Sequence, residues 1–204
     1  MSIKKMFLLA GMALAAIAFA GPVAAQGAVT LTDASGNVLK KNAAVTATSK
    51  NLETTISENI LTCEEVVLHY TVNTNANGGK HVVLDPVGLH NATVSTNCVV
   101  HVNGVGTFPA HITNAGAQQL TINTWGTATT AATFTLNVTP PINLHCSYTG
   151  NVSIQATNGT DLAHVETGSS LTAPQPGCKP DEPHGTFTLT SGGTPIIADI
   201  TPTP

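Results

Sequence analysis

Ile142-Asn143-Leu144-His145-Cys146-Ser147-Tyr148-Thr149 alternates apolar and polar residues without a break. In an extended chain successive side chains point to opposite faces. The stretch therefore puts Ile142, Leu144, Cys146 and Tyr148 on one side and Asn143, His145, Ser147 and Thr149 on the other, which is the pattern of a half-buried strand. The preceding segment repeats it, with Phe134, Leu136 and Val138 set against Thr133, Thr135, Asn137 and Thr139. Val66, Leu68, Tyr70 and Val72 alternate with Val67, His69 and Thr71, and Phe187 and Leu189 follow suit. Further candidates at 29–32, 82–84, 98–102, 108–112, 120–124, 152–154 and 196–200 bring the expectation to about ten to twelve short strands. Segment 51–61 reads equally as a helical turn or a strand.

Turn residues fall between these runs. Gly36-Asn37, Asn77-Gly78-Gly79, Asn103-Gly104, Asn158-Gly159 and Ser191-Gly192-Gly193 all tolerate positive φ and suit hairpins. Pro140 and Pro141 withhold two backbone donors and mark a candidate subdivision near 139–141. The stretch 172–183 carries Pro174, Pro176, Pro180 and Pro183 around Cys178, and reads as a loop held by its cysteine. An outer-membrane barrel would need longer alternating segments and aromatic girdles, whereas aromatics make up only 4% of the chain and Trp125 is its sole Trp. The expected fold is all-β: a disulfide-containing antiparallel β-sandwich, with a division into two similar halves left open.

The first residues set the compartment. Lys4 and Lys5 precede an uncharged apolar run at 6–20, and Val23-Ala24-Ala25 offers small residues before Gln26, so 1–25 is expected to be a secretory signal peptide. An earlier cleavage site lies before Gly21. The apolar run is shorter than the ~20 residues that span a bilayer, and no integral membrane segment is expected once the leader is cleaved. Residues 26–204 form the expected secreted β-sandwich region.

Cys63, Cys98, Cys146 and Cys178 all follow the leader, and an even number in an exported chain reads as disulfides. Three pairings are possible. Cys63 with Cys98 and Cys146 with Cys178 is favoured because the two loops are then similar in length and lie in segments that resemble each other. Leu61-Thr62-Cys63 matches Leu144-His145-Cys146, and Gly106-Thr107-Phe108 matches Gly185-Thr186-Phe187. A duplicated half-domain and chance similarity in a Gly- and Thr-rich chain both account for these short matches.

Charge excludes one class of partner. After the leader the only cations are Lys40, Lys41, Lys50, Lys80 and Lys179, there is no Arg, and eleven acidic residues oppose them. Nucleic-acid binding needs a dense basic footprint, so none is expected.

The search for chemistry centres on histidine. His69, His101, His111 and His145 are expected to point away from the apolar faces and would cluster if their strands were neighbours. His81, His90, His164 and His184 complete the set, and no pair has the H-x-H spacing that puts two imidazoles on one side of a strand. A copper centre of the Cys-Met type lacks its axial Met after cleavage. Glu64 and Glu65 are adjacent, and adjacent strand residues face opposite ways, so they are not expected to cooperate as a carboxylate pair. Asp181 and Glu182 beside His184 form the densest polar group. No G-x-S-x-G motif occurs, and the sequons at Asn91, Asn137, Asn151 and Asn158 match chance expectation. No catalytic residue, metal ligand or cofactor is assigned.

The leader, the paired cysteines followed by Gly-Thr-Phe, the Thr- and Asn-rich strands and the strand-like end at 195–200 resemble small secreted disulfide-containing β-proteins of bacteria, largely uncharacterised and without a named functional family. The resemblance implies a surface or matrix component and carries over no functional residue. The expected function is a secreted, non-enzymatic extracellular or cell-surface structural or binding module, with glycan or protein as partner and the periplasm as an alternative location. An exported metal-binding protein or hydrolase using surface His and acidic residues is the alternative.

Overall fold

The computed structural model describes residues 27–75, 81–87, 97–117, 119–166, 169–179 and 183–201, without the side chains of 86 and 113–117. The expected leader at 1–25 lies outside these residues, as do His90, Asn91, Asp181, Glu182 and the Asn77-Gly78-Gly79 turn.

Alternation produces strands at nearly every expected place, but Ile142-Asn143-Leu144, expected to open the strand of Cys146 and Tyr148, belongs to the preceding loop, because Asn143 is left-handed at φ 49° and the strand begins at His145. The chain forms β1 (Ala28–Asp33), β2 (Ala44–Ser49), β3 (Leu52–Ile56), the long β4 (Asn59–Thr74), β5 (His81–Pro86), β6 (Asn97–Val102) and β7 (Gly106–Ala117). It continues through β8 (Leu120–Asn123), β9 (Thr127–Val138), β10 (His145–Ala156), β11 (Leu162–Val165), β12 (Ser170–Thr172), β13 (Thr186–Ser191) and β14 (Thr194–Thr201). They join in one 14-stranded antiparallel network rather than two separately bonded sheets.

That network closes on itself. The pairings run from β4 to β2, β13, β11, β10, β9, β7 and β6, and from β6 back to β4. β1 lies beside β14, which continues from β13, while β5 and β8 bridge from β4 to the start of β9. β3 and β12 line the remaining edges of β4 and β10. Closure gives the apolar faces one shared interior, where Val29, Leu31, Leu136, Tyr148 and Ile196 are fully buried.

A bulge lets β4 serve two sets of neighbours. Its register against β6 shifts between Cys63 and Glu65. Leu61 and Cys63 are buried before the shift and Val66, Tyr70 and Val72 after it, so the inward positions change from odd to even numbers. The extra residue leaves Glu64 and Glu65 both exposed. The expectation that they face opposite ways fails at this place, because a bulge interrupts the two-residue period.

Segment 51–61 resolves as a hairpin. β3 and β4 are joined through Ser57 and Glu58, both in the left-handed region at φ 46° and 74°. Such turns normally advertise themselves with Asn-Gly, which is why Ser-Glu gave no signal. The turn is held from outside instead: Ser57 N–H donates to the Lys179 carbonyl at 2.9 Å, and Lys179 N–H donates to Ser57 Oγ at 3.1 Å.

The disulfides join Cys63 to Cys98 and Cys146 to Cys178, the favoured pairing. Cys63 and Cys98 face each other across β4 and β6. Cys178 sits in the proline-rich stretch outside any strand, so its bond ties that stretch to β10. The similar halves correspond in part: Gly106-Thr107-Phe108 begins at the first residue of β7 and Gly185-Thr186-Phe187 just ahead of β13, but only the first half puts its second cysteine on a strand. Pro140 and Pro141 lie in the loop between β9 and β10, which pair from Asn137 and His145 to Thr127 and Gln155. No helix among the described residues is long and apolar enough to cross a membrane.

Candidate ligand cavity

Inward positions of the ring are not all large. Ala47 on β2, Ala132 on β9 and Ala163 on β11 occupy places where a longer side chain would reach the middle, and the space they leave is a cavity of about 180 Å³. Leu68, Phe134, Ile154 and Phe187 supply much of its wall. The lining is almost wholly carbon. Thr130, one of its few polar members, is buried and donates its hydroxyl to backbone carbonyls of Gln119 and Ala131, at 3.4 and 3.3 Å. Tyr70 is the only lining residue with an ionisable side chain, and burial pushes its phenol up to about 12.

Tyr148 braces Phe134 of this wall from behind. The Phe134 ring stacks on Tyr148 across the β9–β10 pair, with centroids 4.8 Å apart. Tyr148 is fully buried, its hydroxyl has no partner among the described residues, and desolvation raises its pKa to about 12. A phenol held neutral in this way adds apolar surface without adding a usable acid at neutral pH.

The histidines lie elsewhere, on the outer surface. His69 faces Thr46, His101 faces Thr107 and His164 faces Thr186 on neighbouring strands, with Nδ1 to hydroxyl distances of 3.4, 2.8 and 3.0 Å. His145 makes the same kind of cross-strand contact with Asn137 Oδ1. Of the four imidazoles expected to point outward, only His111 and His145 share a row, one on each side of Asn137. His69 and His101 pair with different strands. Among the described residues no three His, Cys, Asp or Glu side chains converge into a metal-sized group. Glu64 shares a shallow surface depression with Asn97 and His111, and His184 is exposed and bridges to Glu53 through backbone bonds alone.

The cavity was not anticipated from sequence. Its signal lay in alanine at inward positions such as Ala47 and Ala163, in short stretches at 44–49 and 162–165 outside the runs that periodicity picks out. A run says which face is inward, but only strand order says whether small residues on distant strands meet.

Comparison of the chain with known protein families, with curated proteins and with solved structures finds no match.

Proposed function

We propose that this protein is a non-enzymatic binding module working outside the cytosol, and that its ring, flattened as a sandwich, holds a small uncharged apolar molecule. The observation that carries the reading is the carbon-lined cavity. At ~24 cal/mol per Å³, leaving about 180 Å³ empty costs about 4 kcal/mol relative to a filled interior. That is a large share of the ~5–15 kcal/mol by which domains are usually stable, so an occupant would recover much of it.

The chemistry of the lining selects the occupant. A charged or strongly hydrogen-bonding ligand would lose its hydration and find almost no partner, whereas an apolar ring or short alkyl chain loses nothing by entering. Apolar cavities of roughly 150 Å³ stay dry and take up benzene, which sets the size class. Two disulfides support an oxidising compartment. Walls of alkyl groups suit retention of a molecule rather than the making or breaking of bonds.

Methyl-resolved NMR with benzene, indole and short alkanes tests the reading. Saturable shifts should appear at Leu68, Ile154 and Leu189 and be absent with benzoate. A protein whose interior methyls ignore every uncharged probe does not have this function.

A further inference from the structure

We propose that Trp125 is the anchor of a second binding site, separate from the cavity, which takes one face of a sugar ring in a neutral oligosaccharide. Trp125 is the only Trp in the chain and is 67% exposed, at the tip of the turn joining β8 to β9. An isolated exposed apolar side chain is ordinary. The way this one is held is not.

The backbone N–H and carbonyl groups of Trp125 and Gly126 are all tied down. Asn123 Oδ1 accepts from Trp125 N–H at 2.9 Å and from Thr127 N–H at 3.1 Å, and the Asn123 carbonyl accepts from Gly126 N–H at 2.9 Å. From the other side, Gln155 Nε2 donates to the Trp125 carbonyl at 2.8 Å and Ala156 N–H donates to the Gly126 carbonyl at 2.8 Å. Thr127 Oγ1 fixes the Gln155 amide by donating to Oε1 at 2.6 Å. Gly126 sits at φ +76°, so close to β14 that a Cβ would lie 2.3 Å from Ile200 Cδ1. The indole makes none of these bonds, so the turn fixes the backbone from which a large flat ring projects into solvent. Such an aromatic gives contact area at low entropic cost.

The surroundings favour a neutral glycan. Asn123 spends its oxygen on the turn, and its exposed Nδ2 amide has no partner among the described residues, which leaves a hydrogen-bond donor two residues from the indole in the same turn. That combination fits a sugar, which offers C–H groups on one face and hydroxyls at its edge. With charged residues at 9% and no Arg, the chain lacks the electrostatic means to draw anionic lipid or nucleic acid to this ring.

A single Trp makes the test specific to the site. Trp emission of the intact protein is titrated with chitohexaose, cellohexaose and maltohexaose, and affinity is measured in parallel by calorimetry. At least one sugar should give a saturable emission change and protect the indole from acrylamide quenching. Trp125→Ala should weaken calorimetric binding at least tenfold with an unchanged circular dichroism spectrum, and Trp125→Phe should restore part of it. If the alanine variant fails to fold, quenching protection in the wild-type protein decides. The idea is overturned if no sugar alters emission or quenching, if Trp125→Ala binds as tightly as wild type, or if neutral phosphatidylcholine vesicles alone shift the emission. Benzene added to saturate the cavity should leave sugar binding unchanged, which separates failure of this site from failure of the cavity.

Discussion

Gly150 and Ser170 approach so closely that a Cβ on residue 150 would lie 1.8 Å from the Ser170 carbonyl oxygen. The contact is backbone to backbone, where β12 joins β10, so no side chain can swing aside to relieve it. Gly150→Ala should therefore push β12 away and destabilise the fold by about 2 kcal/mol, the cost typical of an overpacked site. Urea denaturation measures it, and an unchanged midpoint would show that the two strands do not meet as described. Leu171 on β12 lines the cavity, so the same variant should also weaken binding of apolar probes.

Asn75 acts as a clamp just beyond β4. Its Nδ2 donates to the carbonyls of Leu31 and Leu39 at 2.7 and 2.9 Å, and its Oδ1 accepts from Leu31 N–H at 2.9 Å. Asn75→Ala removes the bonds to Leu31 N–H and to the Leu39 carbonyl, while the Leu31 carbonyl keeps Leu39 N–H at 3.0 Å, for a loss of about 2 kcal/mol. Amide exchange should then accelerate first in β1, and uniform exchange across the protein would contradict the assignment.

Burial of Tyr70 and Tyr148 makes stability fall in alkali. Both phenols have pKa values raised from 10.0 to about 12. Below pH 10 both folded and unfolded chains keep the protons and stability is level. Between about pH 10 and 12 only the unfolded chain releases them, so stability drops as pH rises and the loss is complete above the folded pKa. Tyr148→Phe should shallow that decline. Since it also removes a buried hydroxyl with no partner among the described residues, it should raise stability at pH 7 by about 1 kcal/mol. Destabilisation on losing the hydroxyl would mean that the group is in fact bonded.

Filling the cavity should separate stability from binding. Ala47→Leu projects three more carbons into the space and should raise the free energy of unfolding, measured by urea denaturation, by about 1 kcal/mol. The same variant should abolish the methyl shifts caused by benzene. Retained binding would place the ligand elsewhere.

How much was legible in advance depended on whether a feature is local. Most strand positions were, because alternation such as that of Phe134, Leu136 and Val138 is a property of the chain itself, whereas the start of β10 was not, since the left-handed Asn143 breaks an alternation that runs on from Ile142. Both disulfides were legible, since the cysteine spacing and flanking residues are local. The bulge at Glu64 and Glu65 was hidden, as either phase of alternation reads well on its own. The Ser57–Glu58 turn was hidden because its support comes from Lys179, far along the chain. The cavity and the dispersal of the histidines depend on strand order, to which periodicity is blind. The braced state of Trp125 depends on Gln155, a strand away.

The pairing of β1 with β14 and of β2 with β13 has a temporal meaning. Segments made early find their hydrogen-bonding mates far along the chain, so the ring cannot shut until β13 and β14 have also been made. Such distant partnerships make for slow maturation. A chain interrupted before residue 186 would leave β1 without a partner strand and β2 with a bare edge, prone to association with other molecules.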